Sequence, residues 1–503
     1  MSLRRRLHAA AAARRRLLHH RLDGYRLGTA ERASVNAKID GAISKIQLVF
    51  AVLFALLIAA QIRVQLFQAP ALATNPHNPR QALLAAYRGS ILASDGTVLA
   101  ATQGGARAYP LGAALAQVVG YASARYGTAG LEDAYDNVLS ASNVSTDPIA
   151  QFRLFVNPAQ RRLQHARGAT VVTTIEPDVQ RVLFRRLNRY AAAAGVVLDA
   201  RTGAIVALAS VPSYDPDSLD ELFPALRVDT SSPLLDRALQ GLYPPGSTMK
   251  IVTAAAALDS GTVAPDATFY DPGYVQVGNF RIHNDEDEVT GSADFTTAFA
   301  LSSNVDFAQI ALKVGVPTFY AYLHAFGFGS DLGLALPASL DHVPAQGAIY
   351  SGELAQLGFG QDDLQVTPLR MAVVAATIAG GGVEPRPFLV REIRRPGGSV
   401  TAFGPGTLGR PISAETADEV TKMMVAVVKR GTGTSAAIPG ITVAGKTGTA
   451  TNEQGAPHSW FVAFAPAQSP RYVAAVVVEH GGYGAAVAAP IVRDVLAAAL
   501  GRK

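Results

Sequence analysis

Ile46 to Ile62 is a run of seventeen residues without a charge, bracketed by Lys45 and Arg63. It constrains the chain more than any other stretch. In a bilayer every backbone polar group must be bonded internally, so such a run spans as a helix or not at all. Seventeen residues is the short end of the spanning range. Val64 to Phe67 extend the run, with Arg63 snorkelling to the headgroups. The flanks decide its direction. Residues 1–45 carry eleven Lys/Arg against three Asp/Glu, a balance of +8. The remaining 33 basic and 36 acidic residues sum to −3. Positive charge before the span predicts a cytoplasmic N-terminus and an exported remainder. Basicity confined to a tail also argues against a nucleic-acid-binding surface, so no nucleic acid partner is expected. Ala71-Leu72-Ala73 is a cleavage-like triplet, but it lies far beyond the apolar run, and the basic region before that run is too long for a signal peptide. The expectation is an uncleaved anchor over 46–66 after a basic tail over 1–45.

The chain lacks cysteine, which excludes disulfides, thiolate metal sites and cysteine nucleophiles. Its ten histidines show no ligand spacing. Pro70, Pro76 and Pro79 mark a linker after the anchor. Ser90 to Ala93 and Thr97 to Ala100 flank Asp95-Gly96, a hairpin signal. A small non-catalytic module is expected over 67–170. Beyond it, Gly195–Asp199 and Ala204–Ser210 read as a second hairpin. A long and mostly helical stretch follows. Val420, Met423, Met424, Val427 and Val428 share one face of an amphipathic helix closed by Gly431. Ile441–Ala450, Ser459–Ala465 and Tyr472–Glu479 read as strands, and Ala485–Leu500 as a last helix. Strands at both ends with helices between predict an α+β domain over 171–503, with one sheet drawn from both ends.

Three short stretches carry chemistry. In Tyr243-Pro-Pro-Gly-Ser-Thr-Met-Lys250, the prolines and glycine prevent a helix from extending backwards, so Ser247 opens one. Ser247 and Lys250 then share a face. The apolar run Ile251–Leu258 behind them marks a buried helix. A hydroxyl needs a base to become a nucleophile, and a buried amine loses its proton more easily than a solvated one. This is the single Ser-x-x-Lys of the chain, in a sequence with 8 lysines and 36 arginines. Arginine is not deprotonated in proteins and cannot be such a base. Ser302-Ser303-Asn304 by itself reads as a turn or helix cap. Lys446-Thr447-Gly448-Thr449 lies on a strand, where an interior glycine marks a close approach by a ligand. The lysine and hydroxyls beside it suit a carboxylate.

Together and in this order, Ser-x-x-Lys, Ser-x-Asn and Lys-Thr-Gly resemble the signature set of serine penicillin-recognising enzymes. Gly358-Phe359-Gly360-Gln361, Val366-Thr367-Pro368-Leu369, Gly431-Thr432-Gly433-Thr434 and His458-Ser459-Trp460-Phe461 extend the likeness to penicillin-binding protein transpeptidase domains over about 170–500. Arg88-Gly89-Ser90-Ile91, Tyr109-Pro110-Leu111-Gly112 and Gly130-Leu131-Glu132 are similar to the pedestal of class B members. Ala93 and Ser94 depart from the family's usual Asp and Arg there. Between anchor and pedestal there is no room for a glycosyltransferase domain.

The resemblance implies a penicillin-binding transpeptidase fold: an antiparallel sheet flanked by helices, with a helical subdomain. It implies peptidoglycan D,D-transpeptidation on stem peptides, with β-lactams trapping the nucleophile. Ser247 would be that nucleophile and Lys250 its base. Ser302 would relay a proton to the leaving amine, and Asn304 would orient Lys250 and the substrate. Lys446, Thr447, Gly448 and Thr449 would hold the terminal carboxylate, and the Ser247 and Thr449 N–H groups would form an oxyanion hole. No cofactor or metal is implied. A SEDS-family glycan polymerase in the bacterial plasma membrane is the implied partner, in cell elongation or division. A D,D-carboxypeptidase or β-lactamase-like hydrolase on the same fold, or a silent cell-wall scaffold, are the alternatives.

Overall fold

The computed structural model describes residues 43–63, 88–103, 106–140, 168–285, 288–452 and 455–502. The chain divides into two units, residues 1–78 and 79–503. In the first, Ile43–Ile62 is a helix of 20 residues with mean hydropathy 2.3, none of it buried by protein. That is the length and composition of a single membrane span. It starts three residues before the uncharged run. The basic tail up to residue 42, the linker and the proposed extension beyond Arg63 lie outside the described residues.

The second unit is built on a five-stranded antiparallel sheet. Its strand order is Ala444–Ala450, His458–Ala465, Tyr472–Val478, Ala193–Asp199, Ile205–Val211. The chain therefore makes one hairpin, leaves for more than two hundred residues, and returns to complete the sheet, as the two apolar strand groups predict. Nearly every position in these strands is buried, because both faces are covered. Alternation still sorts the side chains. Trp460, Val462, Phe464, Val473, Ala475 and Val477 join one core with the helices Lys250–Asp259 and Pro368–Ala379. Phe461, Ala463, Val476 and Val478 join the other, under Pro177–Leu187 and Ala488–Ala499.

Two features were not legible in the apolar pattern. The stretch after Val211 is less helical than expected. It contains the antiparallel pairs Thr268–Asp271 with Gly291–Asp294, and Tyr274–Val277 with Phe280–His283. Each strand is only four residues long, and their buried positions include the polar Asp271, so little apolar period-two signal exists to read. The pedestal is also larger in sequence than 67–170. Its sheet runs Val400–Ala402, Val390–Arg394, Thr170–Thr173, Ile91–Leu92, Val98–Gln103, Ala106–Ala108. Thr170–Thr173 straddles the expected boundary. It pairs parallel to Ile91–Leu92 on one side and antiparallel to Val390–Arg394 on the other. The Arg88-Gly89-Ser90-Ile91 stretch is fixed by an ion cluster whose Arg88, Arg107 and Glu132 side chains are buried and whose Asp136 reaches the surface. Arg88 donates to Glu132 and Asp136, both at 2.5 Å, and Arg107 donates to Glu132 at 2.6 Å.

Candidate active site

Pro244 and Pro245 are followed by a tight 3-10 turn, Gly246–Met249, that runs directly into the helix Lys250–Asp259. Ser247 thus sits in the opening turn, as the breaker residues predict, but in a turn tighter than α. The turn is clamped on several sides. Gly246 N–H donates to Gly360 O at 2.9 Å and Tyr243 N–H to Val366 O at 3.0 Å. Trp460 Nε1 donates to Pro244 O at 3.1 Å. Tyr243 Oη and Arg237 Nε each donate to Glu479 at 2.8 Å. His458, a strand residue beside Trp460, packs edge-on against Tyr243. Here the flanking family motifs acquire a physical role: Gly358–Gln361, Val366 and Trp460 hold the Ser247 turn.

Ser302 ends the helix Phe295–Leu301 in a left-handed conformation, φ +64°. Serine pays a steric cost there, and such outliers persist only where surrounding structure fixes them. The reversal aims both the carbonyl and the hydroxyl of Ser302 at the lysines. Ser303 caps the next helix, Asn304–Val314. Lys250 Nζ donates to Ser302 O at 2.5 Å and to Asn304 Oδ1 at 2.8 Å, and lies 3.2 Å from Ser302 Oγ. Lys446 Nζ donates to the same Ser302 Oγ at 2.8 Å. The two motif lysines therefore meet on one serine.

Both lysines are fully buried. Burial strips solvent from the Lys250 ammonium and lowers its pKa to about 7, while Asp285, Asp306 and Asp271 pull in the opposite direction. Burial first, then the charge of Lys250, holds Lys446 well below the usual lysine range. A neutral Lys250 has two N–H donors and one lone pair. Ser302 O and Asn304 Oδ1 are acceptors only, so they take the two donors. The lone pair is left for the third direction. That direction holds Ser302 Oγ, whose own acceptor side is occupied by Lys446. The hydroxyl proton of Ser302 is then directed at Lys250. The arrangement is a proton-exchange pair: an amine poised near neutrality and a hydroxyl bridging two amines.

Ser247, Ser302, Thr447 and Thr449 line one cavity of about 180 Å³ with Asn284, Asp285, Glu288 and Thr432. Thr447 Oγ1 and Thr432 Oγ1 are 2.6 Å apart, which places the Gly431–Thr434 motif on the cavity wall. Strand periodicity puts Lys446 and Gly448 on one face and Thr447 and Thr449 on the other. Gly448 departs from its expected reason. A Cβ there would stand 2.9 Å from Thr248 Cγ2 and Trp460 Cβ and 3.0 Å from Pro245 O. The close approach at Gly448 is made by the protein's own Ser247 turn. Gly246 and Gly360 continue this contact, since a Cβ at Gly246 would lie 2.9 Å from Thr449 O and one at Gly360 2.0 Å from Gly246 O.

A second layer of residues carries no sequence signature. Asn284 Oδ1 accepts from the N–H groups of Asn304 and Val305 at 2.7 and 3.2 Å. Its amide donates to Asp271 at 2.5 Å, and Ser303 Oγ donates to the same carboxylate at 2.9 Å. This network fixes the turn that presents Ser302 and Asn304. No spacing rule links residues 271, 284 and 304. The two strand pairs bring them together.

Comparison with known proteins agrees with this geometry. The penicillin binding protein transpeptidase domain model matches residues 193–497, and that of the penicillin binding protein A dimerisation domain matches 88–152. The chain belongs to the penicillin-binding protein transpeptidase family, class B. Among individual proteins it is similar to the peptidoglycan D,D-transpeptidase PbpA of Mycolicibacterium smegmatis, at 35% identity over 92% of this chain and 99% of that protein. PbpA of Mycobacterium tuberculosis is likewise 35% identical, over 92% and 99%. Its solved structure as a ceftriaxone acyl-enzyme aligns with a TM-score of 0.76 at 32% identity, over 84% of this chain and all of that one. The D,D-transpeptidase domain of a peptidoglycan glycosyltransferase from Eggerthella lenta aligns with a TM-score of 0.75 at 34% identity, over 83% and 99%.

Proposed function

We propose that this protein is a peptidoglycan D,D-transpeptidase that cross-links stem peptides through an acyl-enzyme on Ser247. One observation carries the reading. A fully buried Lys250 with a pKa near 7 follows the Ser247 turn directly and is bonded to Ser302 and Asn304, with Lys446 on the same serine, and Ser247 and Ser302 line one cavity. Ser247 Oγ attacks the carbonyl of the penultimate D-Ala while its proton passes to Lys250 Nζ, whose lone pair turns from Ser302 Oγ to Ser247 for this step. The N–H groups of Ser247 and Thr449 receive the oxyanion. Ser302 Oγ gives its proton to the departing D-Ala amine and takes one back from Lys250. Lys446, Thr447 and Thr449 hold the terminal carboxylate, and the tight backbone at Gly448 fixes their strand against the nucleophile. Asn304 orients Lys250 and the substrate amide. An amine of a neighbouring stem peptide then attacks the ester and regenerates Ser247. A β-lactam supplies the same carbonyl and carboxylate and halts after acylation.

The helix Ile43–Ile62 is a membrane anchor by length and composition. With the basic tail before it, the N-terminus is cytoplasmic and residues beyond the anchor are extracytoplasmic, in a single-pass arrangement. The partner is a SEDS-family glycan polymerase in the same membrane, which supplies the strands to be cross-linked during elongation or division. The primary test is incubation with a fluorescent penicillin and with a D-Ala-D-Ala stem peptide plus acceptor. The expected result is a Ser247 adduct in the first case and a cross-linked dimer in the second. Release of D-Ala without dimer would favour the hydrolase, and no adduct at all would favour the scaffold.

A further inference from the structure

We propose that Asp306 is a positioning residue of the acyl-transfer reaction, its buried and unbonded carboxylate serving as the counter-charge for the cation formed when Lys250 takes the proton of Ser247. This rests on the function proposed above. Asp306 lies in the first turn of Asn304–Val314, two residues after the Asn304 that binds Lys250. It is 0% exposed, and neither carboxylate oxygen has a hydrogen-bond partner among the described residues. Buried carboxylates are almost always bonded, so an unbonded one asks for a reason.

Local structure supplies only the neighbouring Ser303 hydroxyl, which favours the ionised carboxylate without making a hydrogen bond to it. At this position of a helix an acidic side chain reaches back to the N–H of the cap residue. Ser303 N–H instead donates to Ala298 O at 3.0 Å. The Ser303 hydroxyl proton goes to Asp271 at 2.9 Å, and its oxygen accepts from Asp306 N–H at 3.0 Å. A charge–dipole role at the helix start would be met equally by an exposed or bonded carboxylate.

The neighbourhood points to Lys250. Phe307, the next residue, stands with its ring centre 5.4 Å from Lys250 Nζ. Among the described residues, the charged groups acting on Lys250 are Asp271, Asp285, Asp306 and Lys446. Asp271 is committed to Asn284, Ser303 and the N–H of Gly273. Asp285 lines the open cavity, where solvent screens it. Asp306 alone among the three carboxylates is both buried and unspent, so its field acts in a low-dielectric site where it is strongest. Burial and the charge of Asp271 raise its own pKa to about 6, close to that of Lys250. Near neutral pH it is therefore mostly ionised when Lys250 becomes charged.

The test measures acylation by a chromogenic cephalosporin against pH, for the full-length protein and for Asp306→Asn and Asp306→Ala. Acylation needs neutral Lys250, so the rate rises with pH through its pKa. Removing the negative charge lowers that pKa. In both variants the acid limb should move down by about one pH unit, and the high-pH plateau should fall roughly three- to tenfold because the base is weaker. Melting temperature should stay level or rise, since an unbonded buried charge costs stability. An unmoved acid limb in a variant that still acylates overturns the proposal. So does a uniform rate loss with a lowered melting temperature, the mark of a structural carboxylate. If neither variant folds, that dependence marks Asp306 as structural and likewise overturns it. Wild-type protein that never acylates refutes the underlying function instead.

Discussion

The amine of Lys250 is about half neutral at pH 7, because burial lowers its pKa to about 7. Its neutral form is the base, so wild-type acylation should increase as pH rises through 7 and fall away below it. Stopped-flow mixing with a chromogenic β-lactam between pH 5 and 9 reads this directly. The same amine separates the two motif lysines. Both are fully buried, so replacing either with the larger guanidinium overpacks the site and should cost about 1–3 kcal/mol of stability. Their kinetics should differ. Lys250→Arg removes the base and should slow acylation by several orders of magnitude. Lys446→Arg keeps a cation for the carboxylate and should cost about 10- to 100-fold, on the order of 1–3 kcal/mol of barrier. Equal rate losses would reverse the assignment. Ser247→Ala should leave no penicilloyl adduct by mass spectrometry and lose at most about 1 kcal/mol of stability. These residues were legible because each lies in a short motif whose spacing has a mechanical meaning. Asn284, Asp271 and Asp306 were not. Each is a single polar residue in an unremarkable stretch, and its value comes from what the fold sets beside it.

The element that decides the site is the contact between the Ser247 turn and the strand Ala444–Ala450. Gly246 and Gly448 let the backbones approach without an intervening Cβ, and Gly360 supports the turn from behind. Gly360→Ala would place a methyl 2.0 Å from Gly246 O, and Gly360 also holds a left-handed φ of +81°. Both effects push the turn. The variant should acylate more slowly, by a factor of at least ten, while Ser247 and both lysines remain chemically intact. Wild-type acylation in that variant would show that the turn is not held from this side. At this scale, the sequence shows four of the five central strands clearly as apolar runs, because each is covered on both faces, while Ala444–Ala450 is legible through its Lys-Thr-Gly motif. The strand pairs between 268 and 294 are short and half-exposed, so the same criterion does not find them, although they carry Asp271 and Asn284 to the site.

At the scale of the whole molecule the informative comparison is between two truncations. A chain beginning at residue 67 removes the helix Ile43–Ile62 and keeps every strand of both sheets. It should be soluble without detergent and still label with penicillin. A chain beginning at residue 171 follows the apparent boundary in the sequence but strips Ile91–Leu92, Val98–Gln103 and Ala106–Ala108 from the pedestal sheet. Thr170–Thr173 loses its first residue and its parallel partner, leaving a bare edge, the usual starting point for strand-to-strand aggregation. It should precipitate where the longer chain does not, which size-exclusion chromatography of the two will show. That weave also bears on how such a protein can change over generations. Val390–Arg394 and Val400–Ala402 belong in space to a sheet whose other strands are encoded far upstream. A crossover between related genes that falls anywhere between the two coding stretches joins one parent's inner strands to the other's outer pair. The hybrid inherits a seam to be matched in register as well as a catalytic domain. A pedestal moved between relatives as one contiguous cassette should therefore leave this seam mismatched. A working exchange has to carry Val390–Arg394 and Val400–Ala402 along with the upstream strands.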